Sequence, residues 1–309
     1  NEAYAEQAKA QRFPSLSAGV SQNFSWSKGT TGGTDFSGSN GSSYSVNSSV
    51  NLYNGGRIND EIKQSALSVE GGKYTEATTK ESVSLSILNA FLQVLYAEEQ
   101  VKNSEKQIES TTEQLNLAGE RLNLQIISQA DYAQVKSQLA SEKLTLANAQ
   151  SQLAIAKVSL MQLMELPVTP DFQISHPTLG ESLDEMRKPD VGMVYDTALA
   201  IKPQIRVAAL NKQIAGLDEK MAKAGYLPTL SATAGISSGF NGPAETQYFD
   251  QLNNGIRPTL GFSLSIPIYQ RRQVKTSVAV AKINLQNAEL SETDTRNQLR
   301  KNIEQACQD

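Results

Sequence analysis

The sequence predicts a mainly α protein with membrane β, a tandem repeat whose unit is a β-hairpin followed by a long antiparallel α-helical hairpin. Three observations carry this reading. Val94, Val101, Ile108, Leu115 and Leu122 recur every seven residues, as do Tyr132, Leu139, Leu146, Leu153 and Leu160. Two segments near residues 15–53 and 229–269 alternate strictly between apolar and small polar residues. The passage into the first of these is echoed 214 residues later by the passage into the second.

Taken in order, residues 1–12 read as the end of a helix, and at Phe13-Pro14 the period changes. Leu16, Ala18, Val20, Phe24 and Trp26 then alternate with Ser15, Ser17, Gly19, Ser21, Asn23 and Ser25, with Gln22 a polar break on the apolar side. A Gly/Ser/Thr-rich tract from Lys28 to Ser43 reads as a long loop. Tyr44, Val46, Val50 and Leu52 alternate with Ser45, Asn47, Ser49 and Asn51 beyond it, so 13–53 forms a first β-hairpin.

From Asn54-Gly55-Gly56-Arg57 the chain turns helical, and 54–166 is the first long helical hairpin. Gly71-Gly72 costs it about 1 kcal/mol per Gly relative to Ala. A fold near Ile127 places Leu122 opposite Tyr132, Leu115 opposite Leu139 and so on, partner numbers summing to 254. A connector rich in Pro and acids spans 167–192, with a strand-like piece at Phe172-Gln173-Ile174. Helices resume over 193–225. The segment 226–269 is the second β-hairpin, with Leu230, Ala232, Ala234, Ile236 and Phe240 on one face and Leu260, Phe262, Leu264, Ile266 and Ile268 on its partner strand, joined by a loop from Asn241 to Gly255. Residues 270–309 begin a second long helix, whose return arm by the repeat runs to about position 382. The sequence starts at Asn1 without Met or an apolar leader, so a processed or cropped chain is expected.

Composition narrows the chemistry. Only 39% of residues are hydrophobic and 6% aromatic, which suits a rod or tube better than a ball. With a net charge of −4 and no basic stripe, nucleic acid is not an expected partner. Cys307, read as a small apolar helix position, and His176 are each the sole residue of their kind. No catalytic set, cofactor site or metal site is therefore expected, and the chain reads as a non-enzyme.

Four strands do not close a barrel, and lipid tolerates no open sheet edge, so strands of several copies are expected to combine above a shared tube of helices. Trp26, Tyr44, Tyr53, Phe240 and Tyr269 lie near strand ends, a placement that fits interfacial girdles and plain cross-strand packing equally. A structural coiled-coil protein, a filament or adhesin-like subunit with no channel, is the alternative these patterns leave open.

Five short motifs stand in a fixed order: Arg12-Phe13-Pro14-Ser15-Leu16-Ser17, Leu52-Tyr53-Asn54-Gly55-Gly56-Arg57, the tip Arg121 to Asp131, Tyr226-Leu227-Pro228-Thr229-Leu230-Ser231, and Ile266-Pro267-Ile268-Tyr269. In this order and repetition the sequence resembles the TolC family of outer-membrane efflux channels. The resemblance implies a homotrimer with a twelve-stranded barrel in outer-membrane lipid of a Gram-negative bacterium and a helical tube in the periplasm. It further implies a passive channel of a tripartite efflux or type I secretion system, working with a periplasmic adaptor protein and an inner-membrane transporter. The tip is where adaptors grip in that family, which carries the role over to Arg121, Leu122, Gln125, Ser128 and Asp131. That family usually has Gly where this chain has Gln125. Capping of the return helix is a second role open to Ser128 and Asp131.

Overall fold

The fold was taken from a computed structural model, which describes residues 1–28, 36–169, 172–176, 190–242 and 247–308. The chain divides into two units, residues 1–75 with 189–309, and residues 76–188. Each is treated on its own.

In the first unit, α1 (Glu2–Ala10) ends two residues before the Phe13-Pro14 corner, where the Phe13 N–H donates to the Ala10 carbonyl at 2.9 Å. Pro14 has no N–H to place in a ladder and stands immediately ahead of β1 (Ser15–Lys28). β1 pairs antiparallel with β2 (Phe36–Tyr53), β2 with β3 (Thr229–Asn241), and β3 with β4 (Arg257–Ser265), giving one sheet in the order β1-β2-β3-β4. β2 begins well inside the tract expected to be loop. Small residues made that tract look irregular, yet its serines pair across the sheet, Ser21 Oγ with Ser43 Oγ and Ser25 Oγ with Ser39 Oγ, both at 2.7 Å. Residues 29–35 of the expected loop lie outside the described residues.

Helices precede and follow the strands in the same unit. α5 (Pro203–Ala224) starts with Pro at its first position, where no donor is needed, and follows α4 (Val191–Ile201), whose first turn is capped by Asp190 Oδ1 accepting from the Gly192 N–H at 3.3 Å. α5 leads into β3 through the repeat of the first corner, the Leu227 N–H donating to the Ala224 carbonyl, again at 2.9 Å. α7 (Gln273–Ala306) packs along α5, with Lys212 Nζ at 3.4 Å from Glu292 and 3.7 Å from Glu289. Cys307 is the residue that caps α7 rather than one inside it. The loop expected over Asn241 to Gly255 contains a short helix, α6 (Tyr248–Asn254). Its formation depends on contacts that sequence periodicity does not encode: Tyr248 packs on Phe240 with ring centroids 4.8 Å apart, and Gln251 Oε1 accepts from the Asn241 N–H at 3.0 Å.

α2 (Arg57–Asn123) runs unbroken through Gly71-Gly72. A Cβ on Gly72 would stand 2.9 Å from the Asn1 amide nitrogen, and Asn1 Nδ2 donates to the Ser68 carbonyl, so the glycine lets the start of α1 approach closely.

The second unit holds the remainder of α2 and α3 (Gln129–Leu163), the two arms of the long hairpin. Here the predicted zipper is only half the seam. Val94, Leu139 and Leu160 are buried, while Val101, Ile108, Leu115, Leu122, Tyr132, Leu146 and Leu153 are half-buried. Val94 and Leu160 lie deepest, but the stripe buried along its whole length is a second heptad of small residues, Ala97, Ser104, Thr111 and Ala118, with Glu142, Ala149 and Ala156 buried on α3. Small side chains let two helices approach closely, and the larger apolar residues then flank the contact. At the base, Val94, Ala156 and Leu160 form a core against which Ile87, Phe91, Leu153, Phe172 and Ile174 pack. Phe172-Gln173-Ile174 is irregular, not a strand: among the described residues no strand pairs with it, and its apolar side chains are held by that core.

Candidate functional site

The sheet has two chemically distinct faces. Register places Leu16, Ala18, Val20, Phe24 and Trp26 of β1 on the same face as Tyr44 and Val46 of β2, Ala232, Ala234, Ile236 and Phe240 of β3, and Leu260, Phe262 and Leu264 of β4. Most of these apolar side chains are exposed. The opposite face is Ser15, Ser17, Gly19, Ser21, Asn23 and Ser25, with Ser43, Ser45, Asn47, Thr233, Gly235, Ser237, Gly261 and Ser263. Between Ser15 and Ser27, Ser37 and Tyr53, Thr229 and Asn241, and Pro258 and Ser265 there is no charged residue. Gly235 lies on that face opposite Asn47, whose Oδ1 would stand 2.7 Å from a Cβ there and would have to shift.

Aromatic residues gather towards both ends of the strands. At the helix-proximal end Phe13, Tyr53, Tyr226 and Tyr269 are exposed. At the far end are Phe24, Trp26 and Phe240, joined by Tyr248 and Phe249 of α6, with the Tyr248 hydroxyl 2.6 Å from that of Tyr44. The sequence picked out Trp26, Tyr44, Tyr53, Phe240 and Tyr269. It missed Tyr248 and Phe249, because the aromatic pair sits in a segment with no strand period.

At the tip of the helical hairpin, the five predicted residues take up distinct tasks. α2 ends in a paired turn closure: the Gln125 N–H donates to the Leu122 carbonyl at 2.9 Å, and the Ile126 N–H to the Arg121 carbonyl at 2.8 Å. Gln125 sits between them in left-handed backbone, φ 59°, the conformation glycine takes most readily at this position. Ser128 caps α3. Its Oγ accepts from the Asp131 N–H at 3.2 Å, and Asp131 Oδ2 accepts from the Ser128 N–H at 3.1 Å and from its hydroxyl at 2.8 Å. Those two donors, the hydroxyl first, hold the Asp131 carboxyl below the usual carboxylate range. Leu124 and Ile126 project from the apex with their apolar side chains exposed, a feature the heptad stripes did not flag.

Midway along the hairpin, Glu142 is buried in the small-residue seam. Its Oε1 accepts from Gln138 Nε2 at 2.9 Å and Gln107 Nε2 at 3.3 Å. Thr111, foremost, with Gln138 and Gln107, holds the carboxyl below its ordinary value against the opposing effect of burial. Its Oε2 is buried without a hydrogen bond of good geometry. Near the hairpin base, Glu98 pairs with Lys157 at 3.1 Å, and His176 Nε2 of the irregular 172–176 segment lies 3.4 Å from its other carboxylate oxygen. Among the described residues no group of three or more His, Cys, Asp or Glu converges on a metal-sized site, and no helix is long and apolar enough to cross a membrane.

Comparison with known proteins agrees with this geometry. No curated protein sequence matches the chain. Among solved structures, CusC matches with a TM-score of 0.76 at 16% identity, over 99% of this chain and 68% of that one. The outer membrane protein VceC from Vibrio cholerae matches with a TM-score of 0.75 at 18% identity, over 96% of this chain and 69% of that one. The CmeC outer membrane channel of Campylobacter jejuni gives a TM-score of 0.75 at 16% identity, covering 95% of this chain and 63% of that one. The fold is thus that of outer-membrane channels. A family model described as outer membrane efflux protein matches residues 1–165, and the chain belongs to that family.

Proposed function

We propose that this chain is the outer-membrane channel subunit of a tripartite efflux or type I secretion system, assembled as a homotrimer. Three copies contribute twelve strands, the apolar faces turn to lipid, and the Ser/Gly/Asn/Thr faces line a wet lumen. The observation that carries the reading is the two-faced sheet: one exposed, largely apolar face interrupted by Gln22, Asn40, Ser42, Ser48 and Ser238, one uncharged small polar face, and no charge between the strand ends. Aromatics at both ends fit the interfacial girdles of such a barrel. Conduction is passive. Substrate moves down a path of hydroxyls and amides that give little electrostatic selection, driven by an inner-membrane transporter.

The hairpin tip is the proposed docking point for a periplasmic adaptor protein, with Arg121, Leu122, Gln125, Ser128 and Asp131 its candidate contacts. Exposed Leu124 and Ile126 add an apolar apex that a partner would bury.

Single-channel recording on the full-length protein in planar bilayers tests this reading. Discrete partner-independent conductance, together with loss of efflux but retained conductance in a Leu124→Ser, Ile126→Ser double variant, is expected. A protein that stays monomeric in plain buffer and forms no conductance would overturn it in favour of a structural coiled coil.

A further inference from the structure

The shared-barrel reading requires the outer edges of the sheet, β1 and β4, to be covered, and the chain carries within itself the template for how. It is a duplication that holds down to single hydrogen bonds. The Arg12 and Tyr226 N–H groups donate to the Lys9 and Lys223 carbonyls, 214 residues apart, and those of Arg57 and Gln273 to the carbonyls of Asn54 and Gln270, 216 apart. The β2–β3 seam is therefore the second strand of one repeat meeting the first strand of the next. β4 and β1 are the same two strands without their partners.

Residues at the open edges are consistently barer than their repeat-mates at the internal seam. Ile268 is 95% exposed against 53% for Leu52, Tyr269 82% against 48% for Tyr53, and Phe13 73% against 42% for Leu227. A second copy of this chain is the occupant that removes the difference, since it offers the same surface that already covers the internal mates.

The internal register fixes the external one. From Gly41↔Asn241 to Asn51↔Ser231, β2–β3 partner numbers sum to 282. Raising the β2 residue by 216 and lowering the β3 residue by 214 turns 282 into 284. We infer that β4 of one copy pairs antiparallel with β1 of the next with partner numbers summing to 284, so that Leu264 faces Val20 and Ser263 faces Ser21 of the next copy. Two features agree. First, the register matches the faces: Leu260 meets Phe24, Leu264 meets Val20 and Ile266 meets Ala18, while Thr259 meets Ser25 and Gly261 meets Asn23, with Phe262 against Gln22 the one mixed pair from Thr259 to Ile266, whereas a one-residue slip would set most apolar positions against polar ones. Second, the helices map consistently. Gln64 Nε2 donates to Asp218 at 2.7 Å across the internal seam, and their mates are Val280 and Tyr4, both exposed and apolar. Ala66 and Lys220, which line one groove, map to Lys282 and Glu6, of opposite charge.

One corner differs. A Cβ on Gly55 would stand 3.1 Å from the Ala224 Cβ and carbonyl oxygen and from the Leu227 Cβ. Its mate Arg271 carries such a Cβ, and the mates of Ala224 and Leu227 are Ala10 and Phe13. The corner between copies is accordingly the internal corner opened by a few tenths of an ångström.

Disulfide trapping in the full-length protein, in a Cys307→Ser background, reads the register directly. Two in-register pairs, Val20→Cys with Leu264→Cys and Ser21→Cys with Ser263→Cys, sample both faces of the sheet. Two shifted pairs, Ala18→Cys or Gln22→Cys with Leu264→Cys, serve as controls. Because β2 and β3 lie between β1 and β4 of one chain, any disulfide joins two copies. Directly opposite residues have Cβ atoms about 5 Å apart, whereas a two-residue shift raises this to about 7–8 Å, beyond disulfide reach. Oxidation in outer membranes should give covalent multimers from at least one in-register pair, and at least fivefold less from the shifted pairs. Stronger trapping at a shifted pair, or none at the in-register pairs of a protein whose native mass is oligomeric, overturns the register alone. A monomeric native mass in detergent overturns the shared barrel and the register together.

Discussion

Gly56 and Arg272, 216 residues apart, close the same corner: both take left-handed backbone, φ 83° and 64°, and their carbonyls accept from the N–H four residues on, Asp60 at 3.1 Å and Thr276 at 2.9 Å. Their predecessors match too, Gly55 at φ 67° and Arg271 at 46°. One repeat meets this backbone demand with glycine and the other with arginine, which bears the steric cost of its Cβ.

Relieving that cost should stabilise the protein. Arg272→Gly is expected to gain about 1 kcal/mol, and Gly56→Arg to lose about 1–2 kcal/mol. Thermal unfolding of the detergent-solubilised protein followed by circular dichroism measures both. An arginine variant at 56 as stable as the parent would show that left-handed backbone at this corner carries no such steric cost.

The same logic applies at the hairpin tip. Gln125→Gly should gain about 1 kcal/mol by easing the left-handed turn, and Ser128→Ala should lose about 1 kcal/mol with the cap. Hydrogen exchange at the amides of 124–131 is the sensitive readout, slower in the first variant and faster in the second.

Acid should loosen the hairpin. Asp131 and Glu142 are both held below their ordinary values in the folded chain, Asp131 by the Ser128 hydroxyl and N–H, Glu142 chiefly by Thr111. A depressed carboxylate contributes stability that is present above its unfolded value, about 3.9 for Asp and about 4.3 for Glu, and lost as pH falls through the folded value. Stability should therefore drop below about pH 4. Glu142→Gln should flatten that part of the profile, and an unchanged acid slope in this variant would assign the loss elsewhere.

Leu160 is buried in the core that holds Phe172 and Ile174. Leu160→Ala is expected to cost about 2–5 kcal/mol. Limited proteolysis should then cut near residues 172–176 far faster than in the parent, with the hairpin tip no more sensitive than before.

Adjacent residues on opposite faces give the sharpest test of orientation. Val20→Arg places a charge on the lipid side and should cost about 2–4 kcal/mol near the bilayer midplane, while Ser21→Arg at the same depth enters the lumen. Outer-membrane yield should fall for the first. For the second, yield should hold while ion selectivity shifts towards anions.

The sequence by itself determined the repeat, the two faces of the strands, the long hairpin and the position of its tip. These are properties of period and order: a two-residue alternation assigns every strand side chain to a face before any partner is known, and a heptad assigns every helix side chain to a stripe. Tertiary contact decided the rest. Which of two heptad stripes is buried along its whole length, Val94 to Leu122 or Ala97 to Ala118, depends on how closely α2 and α3 approach, and small residues hold that contact by letting backbones near each other. Ser39 to Ser43 became strand because serines across the sheet could bond to them, and α6 formed because Phe240 and Asn241 were there to receive Tyr248 and Gln251. Arginine at φ 64° was legible only through its mate Gly56, since a left-handed residue is set by the turn it closes and not by its own preference.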